Sequence, residues 1–204
     1  MANYRTFLVP ISDYDIVHNW DVVGLQGTGS HDIVVNDAFV PEHRTHKAMD
    51  GFLFDNSGNA VNTAPLYRMP FMLVFVRAVC TATLGACDGA LDAFIEVAKT
   101  RQVGPSKMKN DPFARVIATE VKTSIEEMKL TLIRNFDAMM DCCRAGVPIP
   151  IEDRVRYRYD SAIVADRCVA LSSKMLKAAG SGGIRMDSDL LSFHLDILAS
   201  QAHV

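Results

Sequence analysis

From residue 70 onward the apolar positions of this chain recur every three to four residues, the spacing of one face of an α-helix. Leu73, Val76, Cys80, Leu84, Cys87, Leu91, Phe94 and Val97 form the first such stripe. Pro70 suits the first turn of that helix and Gly104 its stop. Ala82, Gly85, Ala86, Gly89 and Ala90 let a neighbouring helix come close. A second stripe, Phe113, Ile117, Val121, Ile125, Met128, Leu132, Phe136, Met139 and Cys143, follows Asp111-Pro112, an N-cap with proline at the first helical position. Gly146 ends it and Pro148 follows. Its polar side carries Glu120, Lys122, Glu126, Glu127 and Lys129, with Glu126 and Lys129 spaced to pair. A third helix is predicted over 151–179, with Val155, Tyr159, Ala162, Ile163, Asp166, Val169 and Met175 along it and Arg154 and Arg158 sharing a side. Gly180-Ser181-Gly182-Gly183 breaks it, and a fourth helix is predicted from Ser188 to Val204. Three long helices and a shorter one joined by Gly/Pro turns predict an up-down four-helix bundle.

The earlier residues follow a different period. Tyr4 to Val9 reads as a strand closed by Pro10. Asp21-Val22-Val23 is extended. Gly24, Gly27 and Gly29 then mark a turn where the backbone passes close to something or takes positive φ, with the hydroxyls of Thr28 and Ser30 beside it. Ile33, Val35, Ala38 and Val40 alternate into a second strand, bent at Asn36-Asp37 and stopped by Pro41. Asp50 to Pro65 reads as a loop able to lie over a pocket. The fold class is therefore α+β: a partial β-domain and loop over 1–64, then a helical bundle over 65–204. So short a β-segment cannot close its own sheet, and the expectation is a truncated product or an unusually short relative of a larger protein.

Composition narrows the function. Hydrophobic residues make up 49% of the chain and charged ones 22%, enough apolar content for a core. A net charge of -3 gives no electrostatic reason to expect nucleic acid or an anionic membrane as partner. Cys80, Cys87, Cys142, Cys143 and Cys168 include no Cys-x-x-Cys pair and read as reduced, mostly buried thiols of a cytoplasmic protein. The N-terminus lacks the pattern of a signal peptide. The run Met69 to Cys80 is interrupted by Arg77 and is too short to span a bilayer. Glu42, His43, Arg44 and His46 fit no zinc spacing and read as a solvated strand end, so no metal is expected. Dinucleotide, phosphate-loop, zinc-protease and nucleophile-elbow motifs are missing from the sequence.

Trp20, the run Gly24-Leu25-Gln26-Gly27-Thr28-Gly29-Ser30 and the strand end Val40-Pro41 together resemble the middle β-domain of the acyl-CoA dehydrogenase superfamily. The Gly-Thr-Gly-Ser form resembles its branch of two-component flavin monooxygenases, of the p-hydroxyphenylacetate hydroxylase oxygenase type. The resemblance covers the later half of such an enzyme, with a bundle of the acyl-CoA dehydrogenase C-terminal type. It implies a reduced flavin (FMN or FAD) delivered by a separate flavin reductase, a small aromatic substrate, and a homo-oligomer, dimer or tetramer. Near the C-terminus, Gly182-Gly183 leads to Ser192-Phe193-His194-Leu195-Asp196. The family has Arg-x-x-Arg-Asp there. Asp196 matches, while Ser192 and Leu195 stand where the arginines would be.

His203 falls near the catalytic glutamate region of the dehydrogenases, where the hydroxylases resembled have a histidine. The resemblance thus implies a catalytic role for it, and imidazole has the proton affinity to deprotonate a phenol near neutral pH. No Asp or Glu follows Asp196 to serve as the base that a thioester α-proton requires. Helical spacing would put Asp196 and His203 on one inward face beside Ala199 and Ala202; a surface histidine at a chain end is the other reading. Arg101-Gln102-Val103-Gly104 resembles the turn that reaches flavin phosphates of a neighbouring subunit, implying a cofactor role for Arg101. Read from residues alone, Arg101 is equally a cation near a helix C-terminus. Thr28, Ser30, Gly182 and Gly183 join it as implied flavin contacts, and Arg68 is placed at the substrate mouth. The remaining alternatives are an acyl-CoA dehydrogenase and a helical oligomerisation module without activity.

Overall fold

The computed structural model describes residues 4–53 and 56–203. Its β-part consists of two short antiparallel ladders. β1 (Arg5–Phe7) pairs with β4 (Thr45–Lys47), Arg5 opposite Lys47. β2 (Tyr14–Val17) pairs with β3 (Asp32–Val35), Ile16 opposite Ile33. Then come α1 (Ala48–Leu53), α2 (Phe71–Thr100), the hairpin β5 (Gln102–Val103) and β6 (Ser106–Lys107), α3 (Pro112–Ala145), α4 (Ile151–Ala179) and α5 (Asp189–Ser200).

The start and stop signals of α3 work as its sequence requires. Asp111 accepts the Phe113 N–H at 2.9 Å, Pro112 opens the helix, and Gly146 at φ 68° closes it. Other boundaries move. The first strand shrinks to β1, and Asp21-Val22-Val23 forms no strand. β2 carries no clear alternation in the sequence and gains its order from pairing with β3. β3 stops at Val35, because Asp37 at φ 52° turns the chain before Ala38. α1 occupies the beginning of the expected loop. Gly104 at φ 56° turns the β5–β6 hairpin, while α2 itself ends at Thr100. α5 stops at Ser200 and tightens into a 3₁₀ turn over Gln201–His203; Val204 lies outside the described residues.

Cross-contacts fix the helix directions. Cys80 lies against Ser161, Cys87 against Cys168, and Arg101 reaches Ala178, so α2 and α4 run parallel. Ser172 meets His194 and Asp166 meets Gln201, so α5 runs antiparallel to α4 and hence to α2. With α3 returning between α2 and α4, the bundle is up-down-up-down. α2 and α4 form the central pair, and α3 and α5 pack on it from opposite sides.

Phe94, Ile125, Met128, Leu132, Met175, Leu190 and Ile197 are fully buried at the centre. Each such side chain contributes about 1.5–3 kcal/mol. The stripe expected on α2 is buried except for half-buried Val97. On α3, Phe113 is 80% exposed and Ala114 takes the inward place. On α4, of the positions expected along the helix Met175 is fully buried, whereas Val155 and Tyr159 are each 63% exposed. The buried line is Tyr157, Ser161, Val164, Cys168, Leu171, Met175 and Ala179. Small and hydroxyl-bearing residues face α2 because that helix pair packs closely, so a search for large apolar side chains follows the wrong face.

Lys129 crosses to Asp88 of α2 at 2.8 Å instead of pairing with Glu126, whose ammonium partner is Lys122 at 4.0 Å. Lys129 holds the Asp88 carboxyl below its ordinary value. At this exposure the pair is worth about 0.2–1 kcal/mol, less than one buried core side chain. α2 is long and apolar enough to cross a bilayer, contrary to the shorter run read from sequence, and here its buried stripe faces the other helices. All five cysteines are free, four of them buried.

Candidate functional site

The Gly-rich turn docks on α5 at one tightly defined point. A Cβ on Gly24 would lie 2.2 Å from the Leu195 carbonyl oxygen, so only glycine lets the two backbones touch. The next residue, Leu25, takes a left-handed φ of 55°, a strain of about 1–3 kcal/mol for a non-glycine residue. Its N–H donates to Asp196 Oδ1 at 2.6 Å, a charge-assisted bond worth about 1.5–3 kcal/mol that offsets the strain. The Leu25 carbonyl accepts from Trp20 Nε1 at 3.0 Å and from Thr28 Oγ1 at 2.8 Å. The Trp20 N–H donates to His31 Nδ1 at 3.1 Å, and His18 meets the His31 ring edge-on at 4.7 Å. Of the other expected glycines, Gly29 has positive φ (56°), whereas a side chain at Gly27 would meet nothing within 4 Å.

This arrangement explains Asp196 without arginines near it: its carboxylate holds a backbone N–H 171 residues away in sequence. Thr28 Oγ1 and Ser30 Oγ are exposed and 3.4 Å apart. The Thr28 proton is directed to Leu25, which leaves the Ser30 hydroxyl the freer donor at the turn.

His203 follows on the 3₁₀ turn after α5 and is exposed. The inward positions of α5 belong to Leu190, Ile197 and Ser200. The single inward face expected for Asp196 and His203 does not form, because the α-helix ends before residue 203. Gln201 Nε2 donates to Asp166 Oδ1 at 2.6 Å and ties that turn to α4. Two turns back, His194 Nδ1 lies 2.9 Å from the Ser172 hydroxyl, a buried group that also reaches the Val169 carbonyl. The sequence reading passed over this pair, since neither residue falls in a catalytic spacing.

Burial pushes the His194 pKa below its ordinary 6.5. The unfolded chain therefore binds the proton more readily. The stability this site contributes is present above about pH 6.5 and is lost as pH falls through the lower folded value. A melting series should show the parent chain losing Tm between pH 7 and 5 relative to His194→Gln. Parallel curves for the two proteins would refute the assignment.

At the other end of α5, Arg101 Nη1 donates to the carbonyls of Ala178 (3.0 Å) and Ala179, the last turn of α4. Arg101 thus caps a helix C-terminus, that of α4 rather than its own. Its guanidinium covers Gly180, where a Cβ would lie 2.7 Å from Nη2. Gly180 (φ 59°, ψ -147°) is the glycine that the turn requires. Gly183 is packed against Ala179, and Gly182 is open. The structure therefore brings Arg101 together with the Gly180–Gly183 turn, and brings Thr28 and Ser30 to α5 near Asp196. Asp196 lies seven residues after the start of α5, about 10 Å along the helix. Arg68 lies apart from both, in a cleft of about 300 Å³ with Asn59, Cys143, Val147, Ile149 and Arg154. Among the described residues no cluster of His, Cys, Asp and Glu could hold a metal.

Comparison with known proteins follows the same lines. The oxygenase subunit HsaA of a flavin-dependent monooxygenase from Mycobacterium tuberculosis is 34% identical over 207 residues, covering 99% of this chain and 52% of that protein. The oxygenase component of an FADH2-dependent resorcinol hydroxylase from a Rhizobium species is 26% identical, covering 88% of this chain and 46% of its own length. The crystal structure of 3-HSA hydroxylase from Rhodococcus sp. RHA1 superposes with a TM-score of 0.90 at 32% identity, over 98% of this chain and 52% of that one. The chain spans about half the length of the curated relatives it matches. The family model described as "Acyl-CoA dehydrogenase, C-terminal domain" matches residues 78–204, the bundle and its closing turn, and the chain belongs to that family.

Proposed function

We propose that this chain works in the oxygenase component of a two-component flavin-dependent monooxygenase that hydroxylates a small aromatic substrate. What carries the reading is likeness along nearly the whole chain to named oxygenase subunits. The residues described above fit a flavin: exposed hydroxyls on the turn docked against α5, an exposed imidazole at the end of α5, and a guanidinium beside the glycine turn that precedes α5. When bound, the reduced flavin supplies the activation of oxygen. FAD is the better choice over FMN, on the name of the resorcinol hydroxylase relative. Ser30 would donate to the ring system, with Thr28 beside it held to the Leu25 carbonyl. Arg101, whose Nη1 is committed to α4, would offer its remaining donors to the phosphates beside Gly182 and Gly183. His203 would hold or move the substrate's phenolic proton.

A separate reductase would deliver the flavin. A second copy would cover the exposed Phe71 and Phe75 at the start of α2. The test is incubation with reductase-generated FADH2, ¹⁸O₂ and a panel of phenols, with sedimentation of the same sample. The expected outcome is a product carrying one ¹⁸O atom and an assembly larger than a monomer. No labelled product together with no anaerobic binding of FADH2 would overturn the flavin reading, and a monomer would overturn the assembly.

A further inference from the structure

The ladder between β2 and β3 ends at Val17 and Asp32. Beyond it, the loop that carries the Gly-rich turn is closed by side chains. Asn19 Nδ2 donates to Asp32 Oδ2 at 2.6 Å, and Asn19 Oδ1 accepts the Asp32 N–H at 3.1 Å. One step further in, the Trp20 backbone N–H donates to His31 Nδ1 at 3.1 Å. An amide nitrogen only donates, so His31 Nδ1 must offer a bare lone pair, and the neutral ring carries its proton on Nε2. An imidazolium bears a proton on both nitrogens and has nothing to offer this N–H. Its formation would set two donors against each other at the neck of the loop.

A continuous set of bonds leads from that neck to α5. Trp20 takes His31 through its backbone and the Leu25 carbonyl through Nε1, and the Leu25 N–H is held by Asp196. The other titratable groups of this corner do not compensate a charge on His31. His18 meets the ring edge-on at 4.7 Å, and a second proton there would add like charge. Asp32 is taken by Asn19, and Asp21 is exposed on the loop. On α5, Asp196 is taken by Leu25 and His194 by Ser172. We propose that His31 is a protonation-operated latch: neutral, it holds Trp20 and keeps the Gly-rich turn on α5; protonated, it releases Trp20 and the turn opens. The latch is a property of the loop itself, so it stands independently of the flavin reading.

Trp20 is the sole tryptophan of the chain and reports on its own release. The test is acrylamide quenching of its fluorescence in the full chain between about pH 8 and pH 5, the range in which imidazole changes charge. Quenching should rise reversibly by about twofold or more as pH falls, as local opening predicts, with helical circular dichroism unchanged. His31→Asn places an acceptor oxygen where Nδ1 stands and cannot take the proton, so its quenching should stay low throughout. His31→Ala should quench strongly at both ends of the range. His194→Gln should behave as the parent, which separates the latch from the α5 histidine. The ¹⁵N shift of His31 at pH 8 should show Nδ1 unprotonated. Four outcomes would overturn the proposal: a proton on Nδ1 at pH 8, no rise in the parent, an equal rise in His31→Asn, or a rise that runs in step with loss of helix. If His31→Ala does not fold, the comparison of the parent with His31→Asn decides alone.

Discussion

Asparagine at position 203 is expected to lower the rate of aromatic hydroxylation by about a hundredfold to ten-thousandfold, the usual cost of losing a positioned acid–base group. Affinity for reduced flavin should stay within about twofold, because His203 sits beyond the turn and glycine contacts assigned to the cofactor. The substitution keeps a hydrogen-bonding end but removes the imidazole from the turn that follows α5. His203 is exposed and Gln201 pins its turn to Asp166, so folding should not change. The measurement is single-turnover product formation with pre-bound reduced flavin, alongside the hydrogen peroxide released. A shift from product to peroxide at unchanged oxygen consumption would show that His203 acts on the substrate proton. Coupled hydroxylation at the parent rate would reduce His203 to an exposed residue on a closing turn.

The bundle was legible because its signals are local. Asp111-Pro112 and Gly146 bracket α3, and the 3.6-residue stripe of α2 survives into the structure almost whole. α4 was harder, since its buried face is built of Ser161, Cys168 and Ser172 against the cysteines of α2, and such a face has little hydrophobic contrast to read. In the β-part the Gly-rich turn was visible, but its partner was not. Asp196 lies 171 residues from Leu25, and no periodicity encodes a contact at that distance. Likewise Arg101 could be placed near a helix end, yet only the packing of α2 beside α4 shows that the end belongs to another helix. The Gly182-Gly183 pair drew notice as a motif, whereas the conformational demand falls on Gly180.

The docking point gives the second large effect. Alanine at position 24 would drive its Cβ into the Leu195 carbonyl, with Leu195 carbon at 2.5 Å and Asp196 nitrogen at 2.9 Å behind it, all backbone held within α5. Neither side can yield cheaply, so the turn must lift. Overpacking of this kind costs about 1–3 kcal/mol, and lifting the turn also breaks the Leu25–Asp196 bond, about 1.5–3 kcal/mol more. The core of the bundle does not include the turn, so the loss should appear as local opening rather than global unfolding. Hydrogen exchange should accelerate at least tenfold over residues 20–31 while the amides of α2 and α4 keep their rates. Asp196→Asn keeps an acceptor oxygen without the charge and should give a smaller acceleration over the same segment. Gly27→Ala, with nothing within 4 Å of the new methyl group, should leave exchange unchanged. Unaltered exchange over residues 20–31 in Gly24→Ala would mean that the turn does not rest on α5, and would remove the physical link between the hydroxyls of Thr28 and Ser30 and the helix that leads to His203.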